Sequence, residues 1–171
     1  MMLIPSAGKA MSRDLPFWHL LQSESVLTLA TADACGSWSA PVLYAATLVD
    51  NQPVLYFLSA HSSRHIKSLP LNGSAAASIY TGYQGDWQAI KGLQMHGTIS
   101  ELSRESEEHW QSIYFSRFPE VAEIIRQPVS HQQKKIASAF ERSGKFSFTP
   151  SLIRLTDNSA AFSERNQWTF E

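Results

Sequence analysis

The stretch VLTLATADACGSWSAPVLYAATLVDNQPVLYFLS, residues 26–59, decides the fold class, because it holds three apolar runs with only short turn segments between them. The runs are rich in the β-branched and aromatic residues that strands favour, and the segments between them carry Gly, Asn and Pro, which end strands. Connections this short join antiparallel neighbours, so the sequence predicts a meander of hairpins. The predicted strands are 26–33, 39–50 and 54–59, with turns at 34–38 and 51–53.

The remaining predicted strands and helices do not alternate regularly along the chain. About seven strands are predicted, with helices inserted between the fifth and the sixth, which favours a mostly antiparallel barrel or sandwich with helices at its ends. Gly92 and Gly97, inside a predicted strand, indicate bulges or a close approach of another backbone. The further predicted strands are 74–81, 87–102, 145–157 and 160–170, and the predicted helices are 12–23, 62–69, 103–118, 119–127 and 130–144.

The bulk composition narrows the possible function classes. With 171 residues, 43% hydrophobic and 17% charged, the chain is expected to form one domain over residues 1–171, with residues 1–11 as a loose tail. A net charge of −1 argues against a general nucleic-acid binder, and no apolar run reaches the ~18 residues of a transmembrane helix. The single cysteine, Cys35, excludes an internal disulfide, and a cytoplasmic location is expected.

The segment SAHSSRHIKSL, residues 59–69, crowds hydroxyls and cations where the third strand gives way to a helix. Phosphates are bound by backbone N–H groups at a helix start, by hydroxyl donors and by cations. Arg64 can hold two phosphate oxygens at once, whereas Lys67 acts as a point charge. The segment therefore predicts an anion site, although a capped surface helix with solvated charges has the same pattern. The candidate residues are Ser62 and Ser63 in the first helical turn, then Arg64, His65 and Lys67.

The sequence offers few other catalytic patterns. His61 and His65 are four residues apart, a spacing that could hold a metal or haem, but no HExxH motif or nearby carboxylate accompanies them, and no metal site is predicted. Cys35 has no evident base as a partner. Because no GxSxG, Walker, GxGxxG or CxxC motif occurs, any enzyme activity is expected to depend on a bound cofactor, and the catalytic residues stay unassigned.

Two further stretches could meet a planar aromatic cofactor. The strand 86–97 carries Trp87, Lys91 and Gln94, which suit the faces and edges of such a ring. A half-buried strand whose polar residues face solvent would have the same pattern. Near the C-terminus, Arg165 and Trp168 could close a pocket, or Trp168 could fill the core.

The order of these motifs resembles a known superfamily. LTLATADACGSWSAPVLYAATL, VLYFLSAHSSRHIKSLPLNGSAAASIY and WQAIKGLQMHGTISEL, with the tail LIRLTDNSAAFSERNQWTF, are similar to the pyridoxamine 5'-phosphate oxidase-like, FMN-binding split-barrel proteins, and more narrowly to their YhbP-like branch. The resemblance covers residues 15–170. It implies a mainly β split barrel of about six to seven antiparallel strands with peripheral helices.

The resemblance also implies a cofactor site. The strand Val42–Thr47 would line the flavin, partly through its backbone, and the end of the next strand with SSRHIK would hold the phosphate of FMN. The strand 87–97 would meet the isoalloxazine ring, and the cofactor would lie at a homodimer interface, with small residues at 75–77 near it and Trp168 contributed by the partner chain. The implied cofactor-binding residues are Leu43, Tyr44, Ala45, Thr47, Leu58, Ser59, Ser62, Ser63, Arg64, His65, Lys67, Lys91, Gln94 and Trp168.

This chain departs from the oxidase pattern at two places. PVLYAAT is neutral where the oxidase strand is basic, and His65 stands where a lysine is usual, which argues against pyridoxamine-phosphate oxidation. The expectation is a homodimeric FMN-binding flavoprotein, with oxidoreductase activity on a small molecule left open, and with no nucleic-acid or membrane partner. The alternatives are a haem- or deazaflavin-binding module without catalysis, using His61, His65 or His96, and a dimeric scaffold without a cofactor.

Overall fold

The structure, a computed structural model, describes residues 15–159 and 166–170, and these residues form seven strands and five α-helices. The strands are β1 (Val26–Asp33), β2 (Gly36–Val49), β3 (Gln52–Ser59), β4 (Ser74–Tyr80), β5 (Lys91–Glu101), β6 (Gly144–Asp157) and β7 (Asn166–Thr169). The helices are α1 (Pro16–Ser23), α2 (Arg64–Lys67), α3 (Glu107–Arg117), α4 (Pro119–Arg126) and α5 (His131–Arg142), and 3-10 turns lie at Trp87–Ala89 and Arg104–Ser106.

The seven strands form one antiparallel sheet that closes partly on itself. Their order is β3-β2-β1-β4-β5-β6-β7, and an additional pairing between β3 and β6 closes a ring of six. Strand β6 makes this possible because it changes partners along its length: Gly144–Phe148 pairs with β3, and Leu152–Leu155 pairs with β7. The predicted fold class, a split barrel with peripheral helices, is confirmed.

Two tight hairpins build the meander that the sequence predicts. Asp33 pairs with Gly36, so Ala34 and Cys35 alone join β1 to β2, and the predicted turn at 34–38 is shorter than expected. Asp50 and Asn51 join β2 to β3 with φ values of 49° and 65°. Positive φ at both central residues is the geometry of the hairpin turn that matches the twist of the strands.

The interior of the barrel is filled by alternate residues of the strands and by one face of α1. Leu27 and Leu29 of β1 are fully buried, as are Phe17 and Leu21 of α1. Tyr44 is also interior, and its hydroxyl donates to the carbonyl oxygen of Leu21 at 2.9 Å, which ties β2 to the helix. Because side chains of a strand alternate between its faces, this inward set leaves the intervening residues on the outer surface.

A second core lies outside the barrel, where α3 covers the β2–β3 hairpin. Trp110 is fully buried and stacks on Tyr114, with ring centroids 4.8 Å apart. Both rings belong to a cluster with Ala45 and Tyr56 of the hairpin, and burial raises the pKa of Tyr114 to about 12. The inserted helices therefore block part of the outer sheet surface and leave the rest open.

The sequence predicts a bulge or a close backbone approach at Gly92 and at Gly97, and the structure has one at Gly97. The register of β5 against β6 shifts between His96 and Gly97, and a Cβ on Gly97 would lie 2.2 Å from the carbonyl oxygen of Thr149. Gly92 pairs regularly, and a Cβ there would meet its nearest atom at an ordinary 3.5 Å, so the expectation for Gly92 is wrong.

The boundaries of several predicted elements need correction. The predicted strand 87–102 begins only at Lys91, because Asp86 caps a 3-10 turn by accepting from the backbone N–H of Gln88. The predicted helix 62–69 is reduced to α2, and the helix predicted from residue 103 begins at Glu107. The predicted helix start at 12–14, and residues 160–165 of the last predicted strand, lie outside the described residues. No helix of the described part is long and apolar enough to cross a membrane.

Candidate functional site

The candidate site is built on segment 59–69, which leaves β3, turns, and runs across one end of the barrel as α2. The backbone N–H of Ser63 donates to the carbonyl oxygen of Ala60 at 2.9 Å, and the N–H of Lys67 donates to the carbonyl oxygen of Ser63 at 3.0 Å. Ile66 and Leu69 pack against the main core, which fixes the segment in place. Ser62 and Ser63 precede the helix instead of lying in its first turn, which corrects the sequence expectation.

Three polar side chains of this segment form a connected group, here called the hydroxyl–imidazole cluster: Ser59, Ser63 and His65. Ser59 Oγ lies 2.8 Å from Ser63 Oγ and 2.7 Å from His65 Nε2, and Ser63 Oγ lies 3.3 Å from the same nitrogen. Burial lowers the pKa of His65, so its ring is neutral near pH 7. The cluster thus offers neutral hydroxyl and imidazole donors beside the cations of α2.

The Arg64 side chain lies over an aromatic ring of the neighbouring hairpin. Its guanidinium carbon is 4.6 Å from the centroid of the Trp38 ring, which is the geometry of a cation–π contact. Trp38 remains 42% exposed, so the contact lies at the surface. The stacked guanidinium therefore has less rotational freedom than a solvated one.

The carboxylate of Asp33, at the end of β1, faces the same segment. It accepts from the Ser68 hydroxyl at 2.6 Å and from the backbone N–H of Cys35 at 2.7 Å. These hydrogen bonds, and the nearby charge of Arg64, hold the pKa of Asp33 below its usual range. The two hydrogen bonds connect Asp33 to the end of α2 and to the β1–β2 turn, so this carboxylate fastens α2 to the hairpin.

The predicted cation and hydroxyl residues lie on one short segment. Ser62 and Lys67 are exposed there, as is Arg64. Leu43, which is 46% exposed, lies on the outer face of β2 and pairs with Val26. Leu58, at the end of β3, is half-buried and packs against the second core.

The other β2 residues of the prediction differ in exposure. Ala45 is covered by the second core, and Thr47 is half-buried on the same outer face. The side chain of Tyr44 points into the barrel, where its hydroxyl donates to the carbonyl oxygen of Leu21, so this side chain is not on the outer face.

Three predicted residues lie away from this segment within one chain. The ammonium of Lys91 forms an ion pair with Asp157 at 2.9 Å, at the end of the sheet opposite to the β1–β2 turn. Gln94 lies on the outer face in the middle of β5, and the ring of Trp168 packs against Phe17 with 4.8 Å between centroids. Trp168 therefore fills the core, which is one of the two roles that the sequence analysis left open for it. Arg165 lies outside the described residues.

The histidines do not form a metal-type group. His61 Nε2 lies 2.6 Å from Glu101 Oε1, whereas His65 bonds to Ser59, so the two rings have different partners. His96 lies elsewhere on the outer face, between the hydroxyls of Ser74 and Ser151. Across residues 15–159 and 166–170, no three His, Cys, Asp or Glu side chains lie together in a way that could hold a metal ion.

Sequence reasoning missed the contribution of the β1–β2 hairpin to the site. Neither Trp38 nor Asp33 is among the predicted site residues, because nothing in their spacing connects them to α2. The available signal was the pair of two-residue turns, which fixes the register of the meander and brings both ends of these strands close together.

Comparison with known proteins supports the fold and gives weaker information on the family. No family model matches the sequence. A UPF0306 protein from Yersinia pseudotuberculosis serotype O:3 (strain YPIII) is 26% identical over 151 residues, which cover 88% of this chain and 89% of the relative. Several further UPF0306 proteins from Yersinia pseudotuberculosis and Yersinia pestis match at the same identity.

Solved structures share the architecture at low sequence identity. A haem-binding protein from Mycobacterium smegmatis matches with a TM-score of 0.60 and 16% identity over 88% of this chain and 55% of its own. An FAD-binding protein from Mesorhizobium loti matches with a TM-score of 0.57 and 17% identity, over 80% and 88%. HutZ, the haem storage protein of Vibrio cholerae, matches with 0.56 and 18%, over 90% and 91%. The chain has the split-barrel fold of flavin- and haem-binding proteins. At these identities the likeness is one of fold alone.

Proposed function

We propose that this protein is an FMN-binding flavoprotein in which segment 59–67 holds the phosphate of the cofactor. The observation that carries the proposal is the grouping of Ser63, Arg64 and Lys67 on the segment that follows β3, with Leu43 exposed on the outer face of the neighbouring strand β2. Cations and hydroxyls on one segment are complementary to the phosphate of such a cofactor, and an exposed apolar side chain is complementary to its planar aromatic ring.

The phosphate end fits the donors that are present. Arg64 offers a planar set of N–H donors, Lys67 adds a second positive charge, and Ser62 and Ser63 add hydroxyls. Helix α2 has only four residues, so its dipole is a minor contribution and the side chains carry the interaction. The contact with Trp38 holds Arg64 in place before the anion arrives, which lowers the entropic cost of binding.

The ring end would lie along the outer face of the β2–β3 hairpin. Leu43, which is exposed on that face, would contact one side of the isoalloxazine, and the backbone of strand β2 would reach its edge. When bound, the flavin supplies hydride or electron transfer, and the protein supplies orientation and exclusion of water. We infer an oxidoreductase activity on a small molecule, and Lys91, Gln94 and Trp168 contribute only if a partner chain brings them to this ring.

We further propose that the protein is a homodimer that uses the open part of the outer sheet surface. Val26 is 49% exposed there and pairs with Leu43, and the small residues Ala30 and Ala76 are exposed on the same face. Ala75 and Ala77, by contrast, point into the barrel. A flat surface of small and apolar residues permits close packing of a second copy.

Size-exclusion chromatography with light scattering tests the dimer. Val26→Asp should shift the protein toward the monomer, because it places a charge in the centre of the surface. Val49→Asp, at a similarly exposed valine beside the β2–β3 turn, is the matched control and should leave the mass unchanged. A monomeric wild-type protein would contradict this part of the proposal.

The flavin proposal is tested by the absorbance spectrum of the purified protein, before and after incubation with FMN and gel filtration. Retained absorbance at about 450 nm is the expected result. Two of the similar structures are haem proteins, and His96 is exposed on the outer face, so haem is the second candidate ligand. A Soret band that appears on haem addition and is lost in His96→Ala, without any retained flavin, would favour haem instead.

A further inference from the structure

The hydroxyl–imidazole cluster has three contacts between its polar atoms, but its two hydroxyls supply only two protons for hydrogen bonds. Ser59 Oγ, Ser63 Oγ and His65 Nε2 lie pairwise at 2.7, 2.8 and 3.3 Å, and the two hydroxyls bring one proton each. The direction of the hydrogen bonds therefore depends on whether the imidazole nitrogen carries a proton of its own. Ser59 is buried, and outside the cluster its hydroxyl also lies 3.4 Å from the carbonyl oxygen of Ala60, a longer contact than the two inside the cluster.

The two states of the nitrogen orient the hydroxyls in opposite directions. In the neutral ring that carries its proton on Nδ1, Nε2 accepts from Ser59, and Ser59 in turn accepts from Ser63, so both hydroxyl protons are used inside the cluster. With a proton, Nε2 donates to Ser59, Ser59 donates to Ser63, and the proton of Ser63 is left for an acceptor outside the cluster.

We propose that His65 is a positioning residue that turns the Ser63 hydroxyl outward, as a donor to a bound phosphate-like dianion, when its ring is protonated. The inference deepens the proposed function, since it concerns the same anion site. It predicts that segment 59–67 binds dianions more tightly as the pH falls, because the protonated ring supplies both the outward donor and an additional positive charge.

We attribute this dependence of dianion binding on pH to His65 itself and not to the charged groups around its ring. Burial is the cause of the lowered pKa of His65, so the ring becomes protonated only below neutral pH. Asp33 stays ionised throughout that range, because its hydrogen bonds lower its own pKa. The titratable and charged groups on the elements packed around α2 are Asp33 of β1, Tyr44 of β2 (turned into the core), Tyr56 of β3 (turned toward α3), His61 of the turn (bound to Glu101), and Arg64 and Lys67 of α2 itself.

Sulfate is the suitable probe, because it remains a dianion across the pH range in which histidine titrates, whereas phosphate changes its own charge there. Sulfate binding to the purified full chain would be measured between about pH 5.5 and 8, against chloride at matched ionic strength. The ring signals of the histidines in NMR spectra give a site-specific readout, assigned with His65→Gln. The expected result is roughly tenfold tighter binding at the acidic end, a hydrogen bond to a charged group being involved.

Thermodynamic reciprocity provides a second readout in the same experiment. If protonation of His65 tightens sulfate binding, sulfate must raise the pKa of His65. The signals of His96, which lies on the outer face away from α2, should titrate identically with and without sulfate. His65→Gln should bind sulfate with no dependence on pH, and Ser63→Ala should show a smaller dependence than wild type, because it keeps the charge of the ring but lacks the outward donor, while near-UV circular dichroism shows that both variants are folded.

Sulfate binding that is independent of pH, the same dependence in His65→Gln, or no binding at any pH would overturn the inference. The outcome also separates it from the proposed function. If sulfate binding depends on the protonation of His65 but the protein takes up no flavin, the inference stands and the proposed FMN binding is wrong. If the protein binds FMN but its sulfate binding does not depend on pH, the proposed FMN binding stands and the inference is wrong.

Discussion

The guanidinium carbon of Arg64 lies 4.6 Å from the centre of the Trp38 ring, which joins the short helix after β3 to the hairpin of β1 and β2. This contact holds the strongest anion-binding side chain of the segment at the surface. Replacing Arg64 by alanine is therefore expected to lower FMN affinity at least tenfold, by removing both donors and charge. Arg64→Lys should recover only part of the loss, because an ammonium lacks the planar set of donors.

The measurement for this prediction is a titration of flavin fluorescence with each variant. Arg126→Ala removes an exposed arginine from α4, far from α2 in the chain, and serves as the control for net charge. FMN affinity that is equal in Arg64→Ala and Arg126→Ala would speak against the anion site.

Gly97 and Gly92 form a matched pair within one strand. A Cβ on Gly97 would lie 2.2 Å from the carbonyl oxygen of Thr149, where the backbone has to move, so Gly97→Ala should lower the free energy of unfolding by about 1–3 kcal/mol or prevent folding. Gly92→Ala meets only ordinary contacts and should be neutral or slightly stabilising, within about 1 kcal/mol. Urea denaturation of both variants makes the comparison. Equal losses of stability would contradict the register shift at Gly97.

The hydroxyl of Tyr44 connects β2 to α1 inside the core. Tyr44→Phe removes the donor to the carbonyl oxygen of Leu21 and should lower the free energy of unfolding by about 1–3 kcal/mol, because a buried acceptor loses its partner. Tyr80 is 64% exposed, so Tyr80→Phe is the control and should change stability by less than about 0.5 kcal/mol. If thermal unfolding shows no difference between the two variants, the buried hydrogen bond is not a source of stability.

The carboxylate of Asp33 should make a pH-dependent contribution to stability. Its pKa in the folded protein lies below the ordinary value, so the unfolded chain binds the proton more readily. The stabilisation is therefore fully present above the ordinary pKa of an aspartate and is lost as the pH falls through the folded value. Wild type should exceed Asp33→Asn in stability at neutral pH, and the difference should shrink in acid. Denaturation of both proteins from neutral pH down to about pH 3 measures it. A constant difference would indicate that the carboxylate charge is not involved.

Local sequence patterns were sufficient to predict most strands of the sheet. The alternation and turn residues of 26–33 and 54–59 match β1 and β3 closely, since hairpins depend on neighbouring residues. Helix α2 is shorter than the pattern of 62–69, because Pro70 disfavours a helical conformation at the residue before it.

Long-range contacts account for what the sequence could not show. The pairing of β3 with β6 closes the ring between segments nearly a hundred residues apart, as the Leu55–Phe148 pair illustrates. Such contacts are fixed by the packing of the whole barrel, and residue spacing alone does not contain them.

The most direct test of the central claim compares FMN with riboflavin, which has the same ring but no phosphate. Titration of the purified protein, followed by quenching of flavin fluorescence, should show FMN binding at least tenfold more tightly than riboflavin, with the difference greatly reduced in Arg64→Ala. Equal affinities for the two flavins, or no binding of either, would contradict the account.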